Sequence, residues 1–324
     1  MKNSKKVFIL TEAVLGVLAV LLAALMLLEE NEGELYKVSV IIDNSEDNQW
    51  TAFRYGLRMA ATDQQVEMSV VSTEGGLTLE EQQSLIRQEI DNGADGIIVQ
   101  PVSGQESEDM LKKTAKKVPI MLVETSAVQE KEDSALQVTS PDNQAMGEAL
   151  AKELLKDCDD NNIGGKSLGI LSGPSQSQAL LDREKGFRDT MKGTGARVSW
   201  SISAAFGEEE DPLEDLLKVD FVIALDDESL TAAGEYSAAN DLHGAIVYGI
   251  GNSTEAAYYL DTGEVECIVV PDEFNVGYQS LQTISEKLKH FFGKLEDRSV
   301  SHTVIRRDTL FTKENQEILF TMSQ

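Results

Sequence analysis

Gly165-Lys166-Ser167 carries the closing residues of a phosphate-binding loop. Asp160, however, stands where that loop needs its first glycine, and the run precedes a β-branched segment instead of following one. It reads as a turn. His243, His290 and His302 have no ligand spacing between them, which argues against a zinc hydrolase. Gly173-Pro174-Ser175 lacks the second glycine of a nucleophile elbow, and Ser175 reads better as a helix cap. Asp157, Asp159 and Asn161 have the opening spacing of a calcium loop, but Leu168 occupies the position of its closing bidentate glutamate. Cys158, in a polar loop, and Cys267, in an apolar strand, read as two separate thiols. The acidic run 208–211 before Pro212 reads as a solvated helix start, where acids suit the helix dipole. With no nucleophile, metal cluster or cofactor loop remaining, the chain reads as a non-enzyme that needs no cofactor.

The elements that must position any binding residues alternate regularly. Short β-branched runs fall at 37–42, 66–72, 96–100, 119–124, 168–172, 198–204, 221–225, 245–250 and 267–270. Between them lie amphipathic stretches such as 49–62, 78–92, 105–117, 144–156 and 175–191. This spacing predicts right-handed crossovers and parallel sheets with helices on both faces, an α/β fold. Thr78 with Glu81 three residues on predicts a capping box, and Gly93 marks the stop of that helix. So many strands exceed one mononucleotide-type sheet, which predicts two lobes with a break in the polar stretch 128–134.

The chain holds 28 Lys and Arg against 56 Asp and Glu, a formal charge of −28, with 41% apolar residues. That apolar share supports buried cores, and the charge repels phosphate backbones, so nucleic acid is not expected as a partner. Lysines 2, 5 and 6 precede an apolar run at 7–28 broken only by Thr11 and Glu12. At about 1.5 Å per residue the run spans about 33 Å, enough for a hydrocarbon core of about 30 Å. Three lysines before it and acids at 29, 30, 32 and 34 after it predict a cytoplasmic 1–6, a transmembrane signal anchor at 7–28, a spacer at 29–35 and an extracytoplasmic body. Cleavage after Ala24 is the alternative.

From Val38 to Asn315 the order of elements resembles type I periplasmic solute-binding proteins of the ribose and galactose branch, related to the sugar-sensing domains of bacterial repressors. The residues that carry the likeness are Trp50-Thr51-Ala52-Phe53 with Gly56, the run 92–98 before Pro101, Asp142-Asn143 with Gly147, and Arg183 with Gly186-Phe187. The run 224–228, Gly249, Gly263, Gly277 and the tail 310–315 continue it. The resemblance implies two Rossmann-like lobes joined by a three-crossing hinge, with a ligand trapped by hinge closure and released unchanged. Residues 36–127 with 273–295 would form the N-terminal lobe, 128–272 the C-terminal lobe, and 296–324 a tail that crosses the hinge. The crossings are expected near 126–140, 269–273 and 304–311.

Carried over by position, the ligand-binding residues implied are Asp47, Gln49, Trp50, Glu124, Thr125, Leu181, Asp226, Gly251 and Pro271, with Arg183 and Asp227 structural beside them. Sugar binders of the branch stack aromatic rings on the sugar and fork its hydroxyls with planar polar groups. Here two arginines and a carboxylate of that pattern are absent. Asp47, Glu124 and Asp226 put three acids near one tryptophan, so a sugar-like ligand, a cationic ligand and a degenerate pocket all stay open. Partners implied are a small-molecule ligand and the membrane, with an ABC permease or a sensor histidine kinase; a structural or adhesive role is the third possibility.

Overall fold

The computed structural model describes residues 14–18, 35–43, 50–73, 77–102, 104–124, 136–158, 163–174, 177–206, 217–290 and 295–320. Residues 14–18 are helical; the rest of the 7–28 segment lies outside the described residues. Among the described residues no helix is long and apolar enough to cross a membrane.

Residues 37–324 form one compact unit holding two sheets with the same strand order. In the first, β1 (Lys37–Ile41) pairs with β2 (Glu67–Val71) and β3 (Gly96–Val99), and β3 leads on to β4 (Ile120–Val123), β5 (Gln137–Pro141) and β11 (Arg298–Val300). In the second, β6 (Ser167–Ser172) pairs with β7 (Arg197–Ser203) and β8 (Phe221–Ala224), followed by β9 (Ile246–Ile250), β10 (Val265–Pro271) and β12 (His302–Arg306). Every pairing is parallel except the antiparallel β10–β12. The central strands β3, β4 and β8 are buried at every position, as parallel strands covered on both faces require.

Helices cover those faces: α1 (Thr51–Gln64), α2 (Leu79–Asp91), α3 (Gln105–Thr114) and α8 (Glu273–Lys289) on the first lobe, α4 (Asn143–Asp157), α5 (Gln178–Met191), α6 (Asp227–Ala238), α7 (Thr254–Thr262) and α9 (Lys313–Phe320) on the second. The Thr78–Glu81 capping box opens α2, and Gly93, at φ +92°, takes the left-handed position beyond its end. Ser177, and not Ser175, caps α5. Residue 175 is outside the described residues.

The chain passes between the sheets at three places. β5 belongs to the first sheet, so the first crossing follows it at Asp142, not within 126–140, and 137–141 leave the expected C-terminal lobe. The second crossing is at Asp272 and the third at Ser301, ahead of the expected 304–311. The three lie side by side. Pro141 pairs with Val300 and Pro271 with His302, while Asp142 N–H donates to Val300 O and Asp272 N–H to Ser301 O. Around the first two crossings the chain repeats itself: Pro-Asp opens a helix in which Asp142 or Asp272 is the N-cap, and a glycine, Gly147 or Gly277, follows five residues after the cap. Both glycines lie at helix crossings. A Cβ on Gly277 would stand 2.1 Å from Phe53 O and one on Gly56 2.0 Å from Phe274 O; in the second lobe Gly147 meets Arg183 O at 1.9 Å and Gly186 meets Gln144 O at 2.1 Å.

Candidate functional site

A cavity of about 50 Å³ lies where the two lobes meet. From the first lobe come Trp50, preceding α1, Glu124, just after β4, and Glu273, the first residue of α8; from the second come Arg183 on α5, the pair Asp226 and Asp227 opening α6, and Gly251 after β9. Pro271, Ile250 and Asn252 complete the wall. A groove of about 690 Å³ adjoins it and shares Asn252, Pro271 and Glu273. Ordinary small-ligand pockets run from roughly 300 Å³, so the inner cavity admits a ligand only as the lobes part.

Trp50, Glu124, Asp226, Gly251 and Pro271 of the expected ligand set therefore gather around one space. Asp47, Gln49 and Thr125 lie outside the described residues. Leu181 is not part of the wall: its residue is 50% exposed. Two residues along a helix is a rotation of about 200°, so with Arg183 facing inward Leu181 faces outward. Arg183, expected to be structural, lines the cavity while its Nε–H donates to Asn143 Oδ1 at 2.8 Å and an Nη1–H to Leu225 O at 3.0 Å.

Both aspartates line the cavity, and both carboxylates are held by backbone amides, so Asp226, expected to bind ligand, has a structural role alongside Asp227. Asp226 is the N-cap of α6, its Oδ1 accepting from Ser229 N–H at 2.8 Å and its Oδ2 from Gly173 N–H at 2.6 Å. Asp227 Oδ1 accepts from Asn252 N–H and Ser253 N–H, tying β9's exit to α6. Burial pushes the Asp227 carboxyl above the usual range, and those amides pull it back. Gly251 is required beside it, since a Cβ there would sit 2.5 Å from Asp227 Oδ1.

The hydrogen-bonding capacity left over belongs to the first lobe. Trp50 is 3% exposed and packs edge-on against Phe53 with ring centroids 5.3 Å apart. Its Nε1–H finds no acceptor among the described residues, nor do Glu124 Oε1 and Glu273 Oε2 find donors. Glu273 was not among the expected site residues. The signal that finds it is the repeat Pro-Asp-x-x-x-x-Gly, which puts Glu273 at the helix position that Asn143 holds in the second lobe.

The remaining sequence candidates have structural partners. Asp157 accepts from Tyr248 OH at 2.6 Å and from Arg306 at 2.9 Å; Asp159, Asn161 and the run 208–211 lie outside the described residues. Among the described residues no cluster of three His, Cys, Asp or Glu is arranged to hold a metal. Lys166 and Ser167 bind Asp220, with Gly165 turning at φ +85°. Cys158 and Cys267 are both free thiols.

Residues 38–294 match the periplasmic binding protein domain family. The chain belongs to that family. Among solved structures, a carbohydrate transporter solute-binding protein from Agrobacterium radiobacter in complex with D-arabinose superposes with a TM-score of 0.77 at 18% identity, over 89% of this chain and 99% of its own. GanP, a glucose-galactose binding protein from Geobacillus stearothermophilus, gives 0.74 at 16% identity over 86% and 100%. The XylFII-LytSN complex gives 0.71 at 15% identity over 85% and 98%. A comparison with curated proteins finds no match. The periplasmic binding protein fold, with two lobes about a shared hinge, is thus common to this chain and to solute-binding proteins that are not enzymes.

Proposed function

We propose that this periplasmic binding protein is an extracytoplasmic receptor that captures a neutral, sugar-like solute between its lobes and delivers it to an ABC importer. The observation that carries the reading is the inter-lobe cavity, lined by the Trp50 indole, whose N–H finds no acceptor among the described residues, and by the carboxyls of Glu124 and Glu273. A hydroxyl both donates and accepts, so a polyol serves the indole and the carboxyls at once. An ammonium only donates. It would leave the indole unserved and would approach the Arg183 guanidinium, which weighs against the cationic ligand. The bound sugars named for several structural neighbours support the same class.

The apolar run 7–28 would hold the body at the outer face of the membrane. Its retention in the membrane fraction after alkaline carbonate washing, and release on deleting residues 1–28, is the result expected. The fold's occurrence in the XylFII-LytSN complex supports a second reading, in which occupancy is reported to a membrane histidine kinase. Adjacent permease and ATPase genes would favour import; an adjacent kinase gene would favour sensing.

Thermal melts of the full chain with D-arabinose, D-galactose, D-glucose and spermidine test the ligand class. A ligand at 100 times its Kd adds about 2.7 kcal/mol, so a binding sugar raises the Tm clearly. Stabilisation by spermidine alone would overturn the neutral reading.

A further inference from the structure

Glu124, at the end of β4 within the first sheet, and Glu273, just past the second hinge crossing at Asp272, meet in the same cavity. Glu124 follows β4 with φ +53°, a left-handed conformation that costs a non-glycine residue roughly 1 kcal/mol or more. Glu273 opens α8 directly after the Asp272 cap and is 7% exposed. The two carboxyls line the same small cavity, and Glu124 Oε1 and Glu273 Oε2 are buried there with no donor among the described residues. Two ionised carboxylates are acceptors only and cannot bond to one another. One proton held between them supplies the missing donor.

The surrounding charges agree. Burial pushes both carboxyls above the usual carboxylate range, Glu273 well above it. Arg183 opposes that rise in both; Asp43 adds to it at Glu124 and Asp272 at Glu273. Asp226 and Asp227 share the cavity, but each is engaged by backbone N–H donors.

We propose that Glu124 and Glu273 share one proton at neutral pH and form a single ligand clamp that ties the end of β4 to the second hinge crossing, with Glu273 as a ligand-facing residue. One shared proton leaves the pair a single negative charge facing the Arg183 guanidinium, and the oxygens of Asp226 and Asp227 are already held by backbone N–H groups, so the clamp suits an uncharged hydroxylated ligand. The ligand's part rests on the capture reading above. The shared proton does not, since it belongs to the protein with or without a ligand. Loss of that proton to water leaves two carboxylates facing each other in a buried site. Because the folded pair binds its proton more tightly than the unfolded chain does, the associated stability is complete below the unfolded glutamate pKa of about 4.3 and is lost as pH rises through the pair's raised value.

Infrared titration of the full chain in detergent from about pH 5 to about pH 9 reads the proton directly. The expected result is a protonated-carboxyl C=O band that persists at neutral pH and disappears in both Glu273→Gln and Glu124→Gln. Glu273→Gln mimics the protonated acid, so its Tm should stay level with rising pH while that of the parent falls several degrees below it by about pH 8; the two should converge near pH 5. A parent protein without the band at neutral pH, or a band that survives both substitutions, would overturn the pair. With the band present and no sugar stabilising the protein, the sugar reading alone falls. Sugar stabilisation without the band removes the pair and leaves capture standing.

Discussion

Trp50 packs in the first-lobe core through its ring and lines the cavity, with an N–H that has no acceptor among the described residues. Those two roles are separable. Trp50→Phe keeps an aromatic ring and deletes that donor while leaving a small void in the packed core, so the Tm is expected to fall modestly. If the indole serves a ligand hydroxyl, calorimetry should show about tenfold weaker binding of whichever sugar stabilises the parent, about 1.4 kcal/mol. At Asp220 the chemistry is structural: Lys166 and the Ser167 amide and hydroxyl hold its carboxyl down to about 2. A lowered folded value means stability present above the unfolded pKa of about 3.9 and lost as pH falls through about 2. Asp220→Asn should therefore melt below the parent at neutral pH and approach it towards pH 2, with a modest gap because the pair is partly exposed. Residue identity alone made the Gly165-Lys166-Ser167 turn legible, since no phosphate loop precedes its own strand. It left Glu273 hidden, because an acid at the start of a helix ordinarily looks like a dipole partner and only the tertiary meeting with Glu124 gives it another role.

The helix pairs α1 with α8 and α4 with α5 are packed so closely that each contact glycine abuts the carbonyl three residues before the other's glycine. A methyl at Gly277 or Gly186 would stand about 2 Å from that backbone oxygen, and two helices cannot part there without disturbing the core beneath. Gly277→Ala and Gly186→Ala are each expected to cost about 1–3 kcal/mol or more in chemical denaturation, the range for overpacking. Gly93→Ala, where a Cβ meets nothing within 4 Å, should cost only the left-handed backbone penalty of about 1 kcal/mol. The helices themselves were readable from apolar period and caps, and the central strands from unbroken β-branched runs. β5, β11 and β12 were not. Gln137-Val138-Thr139-Ser140-Pro141 is mostly polar, and its place in the first sheet comes from neighbours distant in sequence, as does that of the three-residue β11. Missing β5 is what displaced the expected hinge crossing.

With 56 acidic side chains against 28 basic ones, the molecule as a whole repels itself. Screening shortens from a length of about 10 Å at 0.1 M salt to about 3 Å at 1 M, so the Tm is expected to climb with sodium chloride. A fall instead would mean that local pairs such as Arg306 with Glu153, Asp157 and Glu266, which fasten the tail to the second lobe, outweigh the general repulsion. The α/β architecture and the two-lobe division were legible across the whole chain, because each rests on a pattern repeated many times. Of the seam between lobes only the second crossing, at Asp272 within the expected 269–273, was legible; the other two depend on strands placed by neighbours distant in sequence. The seam also divides the labour between two like halves. The same strand order twice, the same Pro-Asp-x-x-x-x-Gly entry twice and the same reciprocal glycine contact twice build one frame two times over. At the matching helix position one half carries Asn143, which holds Arg183, and the other carries Glu273, which lines the cavity, so that the same frame serves packing in one lobe and the ligand space in the other.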